Sequence, residues 1–392
     1  MILALLFYPM RYFNISLILL LFSFQVHGVT LKTEFQLGEK QQPTLDRLLP
    51  DVASRLTFNE ENTKLIAHQM DGNIVEWDMH TFQKRLICTV EEDQWSTYSP
   101  RLNYLLIPKA DGIAVIDVAN RKEIQLVKNK YEIRGPYESG CYSPDAGRLV
   151  ALTKGDNEFE AWRFSIIGIA TGIKSLTIKP GIKTTKILDY KTQLPVRNGI
   201  AIAEGNSYLA TAEGTYRDGE GHRTIIEIWS ELQDKPYRVF DTGEVLGVWN
   251  LVFSDYGMML AVDTQLNGKS GIRVWEIRTG RQVLNKSGFE AYWVRALAFA
   301  PNKQKLSSND RTENLRMKGY LHIDYLASGD EKGNLRVWGI PYHTSKILDT
   351  KSVIWETYPT GIQTLAFSPN GNYLAVALWD TTIQILRWNS NE

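Results

Sequence analysis

The chain has 392 residues, long for one ordinary domain but within reach of a repeat architecture. Its 43% apolar, 22% charged and 11% aromatic content is that of a packed globular protein and excludes intrinsic disorder. Lys and Arg number 44, as do Asp and Glu, so the basic surplus of a general nucleic-acid or anionic-membrane binder is missing.

Residues 1–28 read as a secretory signal peptide. Ile15–Phe24 (ISLILLLFSF) is an apolar core behind Arg11, and Val26-His27-Gly28 places small or modest residues where an export peptidase reads. The core is too short to span a bilayer, which takes roughly 20 apolar residues. Pro9 and Arg11 interrupt the upstream run that would have to join it. Met10, directly before Arg11, makes a tidier start than Met1. The expectation is an exported protein, periplasmic or secreted, beginning near Val29; an uncleaved membrane anchor is the alternative.

Residues 29–50 read as a strand and a connector. In Thr30–Leu37 the residues Leu31, Thr33, Phe35 and Leu37 alternate with Lys32, Glu34 and Gln36, as in a half-buried outer strand.

One pattern then recurs seven times over residues 51–388, before a short tail at 389–392. A first strand ending in a large residue runs into a turn: RLTFNEEN, STYSPRLN, GCYSPDAG, IAIAEGN, LVFSDYG, LAFAPNK and LAFSPNG. A second strand opens on Leu65, Leu105, Leu149, Leu209, Leu260, Leu326 or Leu374. A third places Trp77, Ile116, Ile167, Trp229, Trp275, Trp338 or Leu386 at one equivalent position. A polar-alternating fourth strand follows in FQKRLICTV, KSLTIK and YRVFD. The last copy has only three strands, and Thr30–Leu37 is expected to supply its fourth.

Four-stranded repeats with this Trp, including the literal Trp77-Asp78, resemble the WD-repeat β-propeller family. The resemblance implies an all-β, seven-bladed propeller of antiparallel blades, with the ring closed by the N-terminal strand. Eight blades, or a propeller outside this family, are the alternatives. The family's Gly-His pair is absent from the repeats. Asp71 and Asp380 fit its structural Asp, whereas Lys269 and Lys332 stand in that place in two other copies. Cys88 falls on an outer strand of copy one and Cys141 on an inner strand of copy three, so both read as unpaired, buried apolar residues.

Five histidines after residue 28 lack metal-ligand spacing, and neither a phosphate loop nor a Gly-x-Ser-x-Gly elbow is present. No catalytic residue, cofactor or metal is therefore expected. The alternative is an exported propeller enzyme, a metal-dependent lactonase or quinone-linked dehydrogenase, using its channel mouth. Four positions before the first-strand aromatic lie Ser54, Gln94, Glu138, Asn198, Trp249, Arg295 and Gln363. Glu138 and Asn198 are oxygen ligands that calcium could use, but Arg295 beside them makes a poor cation site.

The resemblance implies instead a rigid platform for a protein partner at the channel mouth, where Trp249 and Arg295 are residue types enriched at binding hot spots. Trp293, Trp379, Gln363, Glu138 and Asn198 complete the expected face. Insertions at 157–162, 179–198, 213–223 and 264–270 thicken the same side and add Tyr216. A basic insertion at 303–323 projects from the opposite one. Asn285-Lys286-Ser287 is a glycosylation sequon in a eukaryotic host.

Overall fold

The computed structural model describes residues 29–41, 51–91, 96–109, 112–128, 137–142, 148–154, 159–165, 178–183, 200–203, 208–217, 221–230, 236–242, 248, 250–266, 269–289, 293–301, 323–341 and 354–390. The proposed signal peptide and residues 303–322 of the basic insertion lie outside them. So do residues 42–50, 184–199 and Ile167.

β1 (Val29–Leu37) is the first strand among the described residues but belongs to the last sheet. Sheet one contains β2 (Ala53–Phe58), β3 (Lys64–Gln69), β4 (Asn73–Asp78) and β5 (Lys84–Thr89). Sheet two contains β6 (Thr97–Ser99), β7 (Tyr104–Lys109), β8 (Gly112–Asp117) and β9 (Lys122–Lys128). Sheet three contains β10 (Tyr137–Tyr142), β11 (Arg148–Lys154), β12 (Phe159–Ser165) and β13 (Ile178–Lys183). Sheet four contains β14 (Ile200–Ile202), β15 (Tyr208–Arg217), β16 (Gly221–Ser230) and β17 (Arg238–Asp241). Sheet five contains β18 (Leu251–Phe253), β19 (Met259–Leu266), β20 (Lys269–Glu276) and β21 (Gln282–Phe289). Sheet six contains β22 (Val294–Phe299), β23 (Ile323–Asp330), β24 (Asn334–Pro341) and β25 (Ile354–Thr357). β26 (Ile362–Phe367), β27 (Tyr373–Leu378) and β28 (Ile383–Ser390) complete sheet seven with β1 on its outside. All these pairings are antiparallel.

The repeated Leu explains why the copies share a register. It faces the large third-strand residue across the ladder: Leu65 opposite Trp77, Leu105 opposite Ile116, Leu209 opposite Trp229. Leu260, Leu326 and Leu374 oppose Trp275, Trp338 and Leu386 in the same way. Each of these six leucines is at most 1% exposed. Burying such a side chain is worth about 1.5–3 kcal/mol.

The apolar residues lie between sheets. One core joins Leu335 and Val337 of sheet six to Val376 and Leu386 of sheet seven. A second joins Ala375 and Ile385 of sheet seven to Leu56 and Leu65 of sheet one, and a third joins Ile66 and Ile74 to Leu105 of sheet two. Sheets four, five and six are linked likewise. β10 of sheet three lies beside β6 and β14.

Two of the third-strand tryptophans are held by hydrogen bonds. Trp229 donates its indole N–H to Thr211 Oγ1 at 3.2 Å, and Trp338 donates to Ser328 Oγ at 3.0 Å. Trp275 stacks on Phe240 of the neighbouring sheet at 5.1 Å.

Several expectations are corrected. In sheet three Leu149 faces Phe164, not Ile167, and the fourth strand is Ile178–Lys183 rather than 174–179. Residues 389 and 390 are not tail, because β28 pairs Asn389 with Thr30 and Ser390 with Val29. The 213–223 and 264–270 insertions are extended hairpins, paired out to Arg217–Gly221 and Leu266–Lys269. Trp162 lies within β12. Thr33 is exposed, and a bulge at Glu34 then shifts the register of β1 against β28. Cys88 is a free thiol on outer strand β5 and Cys141 lies on inner strand β10, both as expected, but Cys88 is half-buried rather than buried.

Removing Trp275 opens space against Phe240, so Trp275→Ala should cost about 3–5 kcal/mol in denaturant unfolding. Deleting residues 29–37 takes away Leu31 and Leu37 and strips the partner from β28. The melting temperature should then fall by roughly 10 °C or more; an unchanged transition would show that β1 contributes no stability.

Candidate functional site

In four inner strands the second residue has no partner in the ladder. These residues are Ser54, Glu138, Arg295 and Gln363, each a β-bulge against its neighbouring strand. They are four of the positions expected just before the inner strands, and they lie inside them instead. A bulge re-aims one side chain while the rest of the strand keeps its register. Gln94, Asn198 and Trp249 lie outside the described residues. Tyr216 lies in β15, opposite His222 in the hairpin extension.

The structure pairs four of the expected residues, Trp293 with Arg295 in sheet six and Gln363 with Trp379 in the adjacent sheet seven. Arg295 donates to Glu331 Oε1 from Nε at 2.7 Å and also from Nη2. Its guanidinium sits over the Trp293 ring, 4.8 Å from the centroid. In the adjacent sheet Trp379 donates its indole N–H to Gln363 Oε1 at 3.1 Å. All four are half-buried. Arg295 is therefore a braced group rather than a free cation.

The backbone fixes this arrangement. Glu331 follows β23 and hydrogen-bonds through its N–H to Trp293 O at 3.1 Å; Trp379 follows β27 and bonds likewise to Gly361 O at 2.9 Å. Met70 repeats the contact with Val52 O at 2.9 Å in sheet one. Glu331 and Trp379 thus occupy one station in successive turns. Gly361 is required by close approach, since a Cβ there would lie 2.7 Å from both the Trp379 ring and Glu331 O.

The turns below this station are held by carboxylates. Asp71 Oδ1 accepts from Asn73 N at 2.9 Å, and Asp380 Oδ1 accepts from Thr382 Oγ1 at 2.6 Å. In sheet six Lys332 does stand where the Asp was expected, and Asp330 replaces it from two residues upstream. Asp330 Oδ1 accepts from the N–H groups of Lys332 and Asn334, and Oδ2 from Arg336 at 2.9 Å. The next residue in the turn is left-handed Gly333, φ 81°, but in sheet seven it is Thr381, φ 71°. A β-branched residue there is strained. Thr381 Oγ1 donates to Glu39 O at 2.7 Å, which ties the residues after β1 to the turn carrying Trp379.

Sequence reasoning missed Glu331 and Gly361. Aligning the turns, rather than the strands, would have put Glu331 at the Trp379 station.

Sheet one has a different polar set. His68 Nδ1 lies 2.9 Å from Ser96 Oγ, and Arg55 Nη1 donates to Ser96 O at 3.0 Å. Burial pushes the His68 pKa down to about 4, Arg55 adds to the shift and Asp71 opposes it. The folded state therefore resists the proton that the unfolded chain takes up near pH 6.5. The contribution of neutral His68 is fully present above pH 6.5 and is lost as the pH falls towards 4. Unfolding midpoints at pH 7 and pH 4.5 should differ less for His68→Gln than for the parent; an equal difference would place the acid sensitivity elsewhere.

Among the described residues, no three or more of His, Cys, Asp and Glu stand together as a metal site, and no helix is long and apolar enough to cross a membrane. Glu138 is placed by its backbone only, and Asn198 lies outside the described residues.

Residues 352–386, which reach from β25 into β28, match the family described as WD domain, G-beta repeat. No curated protein matches the chain. Solved structures with a similar fold include the Myceliophteria thermophila Cps50 (Swd1) β-propeller domain, 13% identical with a TM-score of 0.57 over 91% of this chain and 99% of that one. A chain of a mitotic checkpoint complex is 14% identical with a TM-score of 0.59 over 98% of both. A chain of Kuenenia stuttgartiensis hydrazine synthase is 13% identical with a TM-score of 0.60 over 88% of this chain and 98% of that one. Residues 352–386 are thus similar to a WD repeat of the G-beta type, and the chain shares the fold of the WD-repeat β-propellers.

Proposed function

We propose that the chain is a rigid protein-interaction platform whose partner sits over the channel mouth between sheets six and seven. The observation that carries this reading is the Trp293–Arg295 pair of sheet six beside the Gln363–Trp379 pair of sheet seven, with Gly361 close to both Glu331 O and the Trp379 ring and two of the four residues on bulges. Trp and Arg are enriched at binding hot spots, and Arg295 is already held in place by Glu331. WD-repeat propellers commonly serve as interaction platforms, and one similar chain belongs to a checkpoint complex. The seven sheets close into a ring in this reading, with β1 as the clasp.

The test is partner affinity. Arg295→Ala and Trp379→Ala should each weaken binding by about 1 kcal/mol or more while costing less stability than Trp275→Ala. Parental affinity in both variants would move the site elsewhere.

The platform works outside the cytoplasm, on the strength of Arg11, the Ile15–Phe24 core and the Val26-His27-Gly28 end. N-terminal sequencing of the protein from its native source should find a start near Val29. An intact Met1 or Met10 in a membrane fraction would favour the anchor. The hydrazine synthase neighbour keeps a propeller enzyme as the second reading. Metal analysis followed by a lactonase assay distinguishes it.

A further inference from the structure

We propose, on the basis of that binding face, that its ligand is an uncharged, extended peptide segment with an apolar residue, recognised through its backbone carbonyls. The hydrogen-bonding groups of the rim are already oriented. An indole N–H can only donate, so Gln363 must turn its oxygen to Trp379, and both amide N–H bonds of its Nε2 are left for a ligand. Arg295 uses Nε and Nη2 on Glu331, which leaves Nη1 with two N–H bonds. Both side chains are partly exposed, and each is the bulge residue of its strand. The rim therefore presents donors on adjacent inner strands, with Trp293 against one and Trp379 against the other.

The charge balance selects the class of acceptor. Glu331 neutralises Arg295, and Asp330 is paired with Arg336 directly below. A carboxylate ligand would meet Glu331 beside the guanidinium that attracts it. A peptide carbonyl is a neutral acceptor and meets no such repulsion. Successive carbonyls of an extended segment can reach two donors, and an apolar side chain can lie against an indole.

A phage-displayed library of random 12-residue linear peptides, selected on the immobilised full chain, tests this. Enriched peptides should carry little net charge and at least one apolar or aromatic residue. Their affinity should change less than twofold between 50 and 500 mM NaCl. Gln363→Ala and Trp379→Ala should each weaken them at least fivefold, with circular dichroism and melting confirming that the variants fold. Glu331→Gln, which frees the positive charge of Arg295, should shift the enriched set towards acidic peptides. Peptides that are acidic and salt-sensitive on the parental chain, yet depend on Trp379, would overturn the uncharged ligand and keep the face. Peptides indifferent to both Gln363 and Trp379, or no enriched peptide at all, would overturn the proposal.

Discussion

A four-stranded sheet with two apolar faces is insoluble as a free unit, and the rest of the structure follows from that constraint. Among the described residues, sheets one, five, six and seven each pack apolar side chains against two neighbours. Val376 and Leu386 of sheet seven pack towards sheet six, while Ala375 and Ile385 of the same strands pack towards sheet one. Alternation along a strand divides its side chains between two interfaces. The buried leucine and the large residue opposite it set the register at which this division works, and a one-residue slip would exchange the two sets.

Fixed packing below leaves a narrow place for specialisation above. A bulge in the second residue of an inner strand releases one side chain without disturbing the buried ladder. Ser54, Arg295 and Gln363 share this position but have different tasks. Ser54 donates to the backbone O of His68 on β3 at 3.0 Å, whereas Arg295 and Gln363 meet the side chains of Glu331 and Trp379 in the turns after β23 and β27. The same backbone contact recurs in all three sheets, so the difference lies in side chains. Strain gathers at this rim as well, since Thr381 takes a conformation that Gly333 takes without cost one sheet earlier.

Much of the frame was legible because large apolar residues recur at a fixed offset from a turn. Leu65 and Trp77 could be paired from sequence alone, and the alternation of Leu31, Phe35 and Leu37 located the outer strand. Sheet three was misread because Phe164 and Ile167 both lie in one apolar run, and only pairing with Leu149 chooses between them. The 213–223 insertion does not read as strand because its residues are polar and Gly-rich, although backbone hydrogen bonds hold it as a hairpin. The candidate rim was half legible. Its aromatic and basic members stood out by type, but the Arg295–Glu331 pair joins residues 36 apart and leaves no local trace. A bulge is a difference in count between two strands, which one strand cannot reveal.

Hydrogen–deuterium exchange of the chain, alone and with a selected peptide bound, tests the central claim most directly. The account predicts slower exchange confined to the segments around 293–295, 331–333, 361–363 and 379–381, with the buried ladders unchanged. Protection that falls instead on the outer strands, or on the rim of sheets one and two, would contradict it.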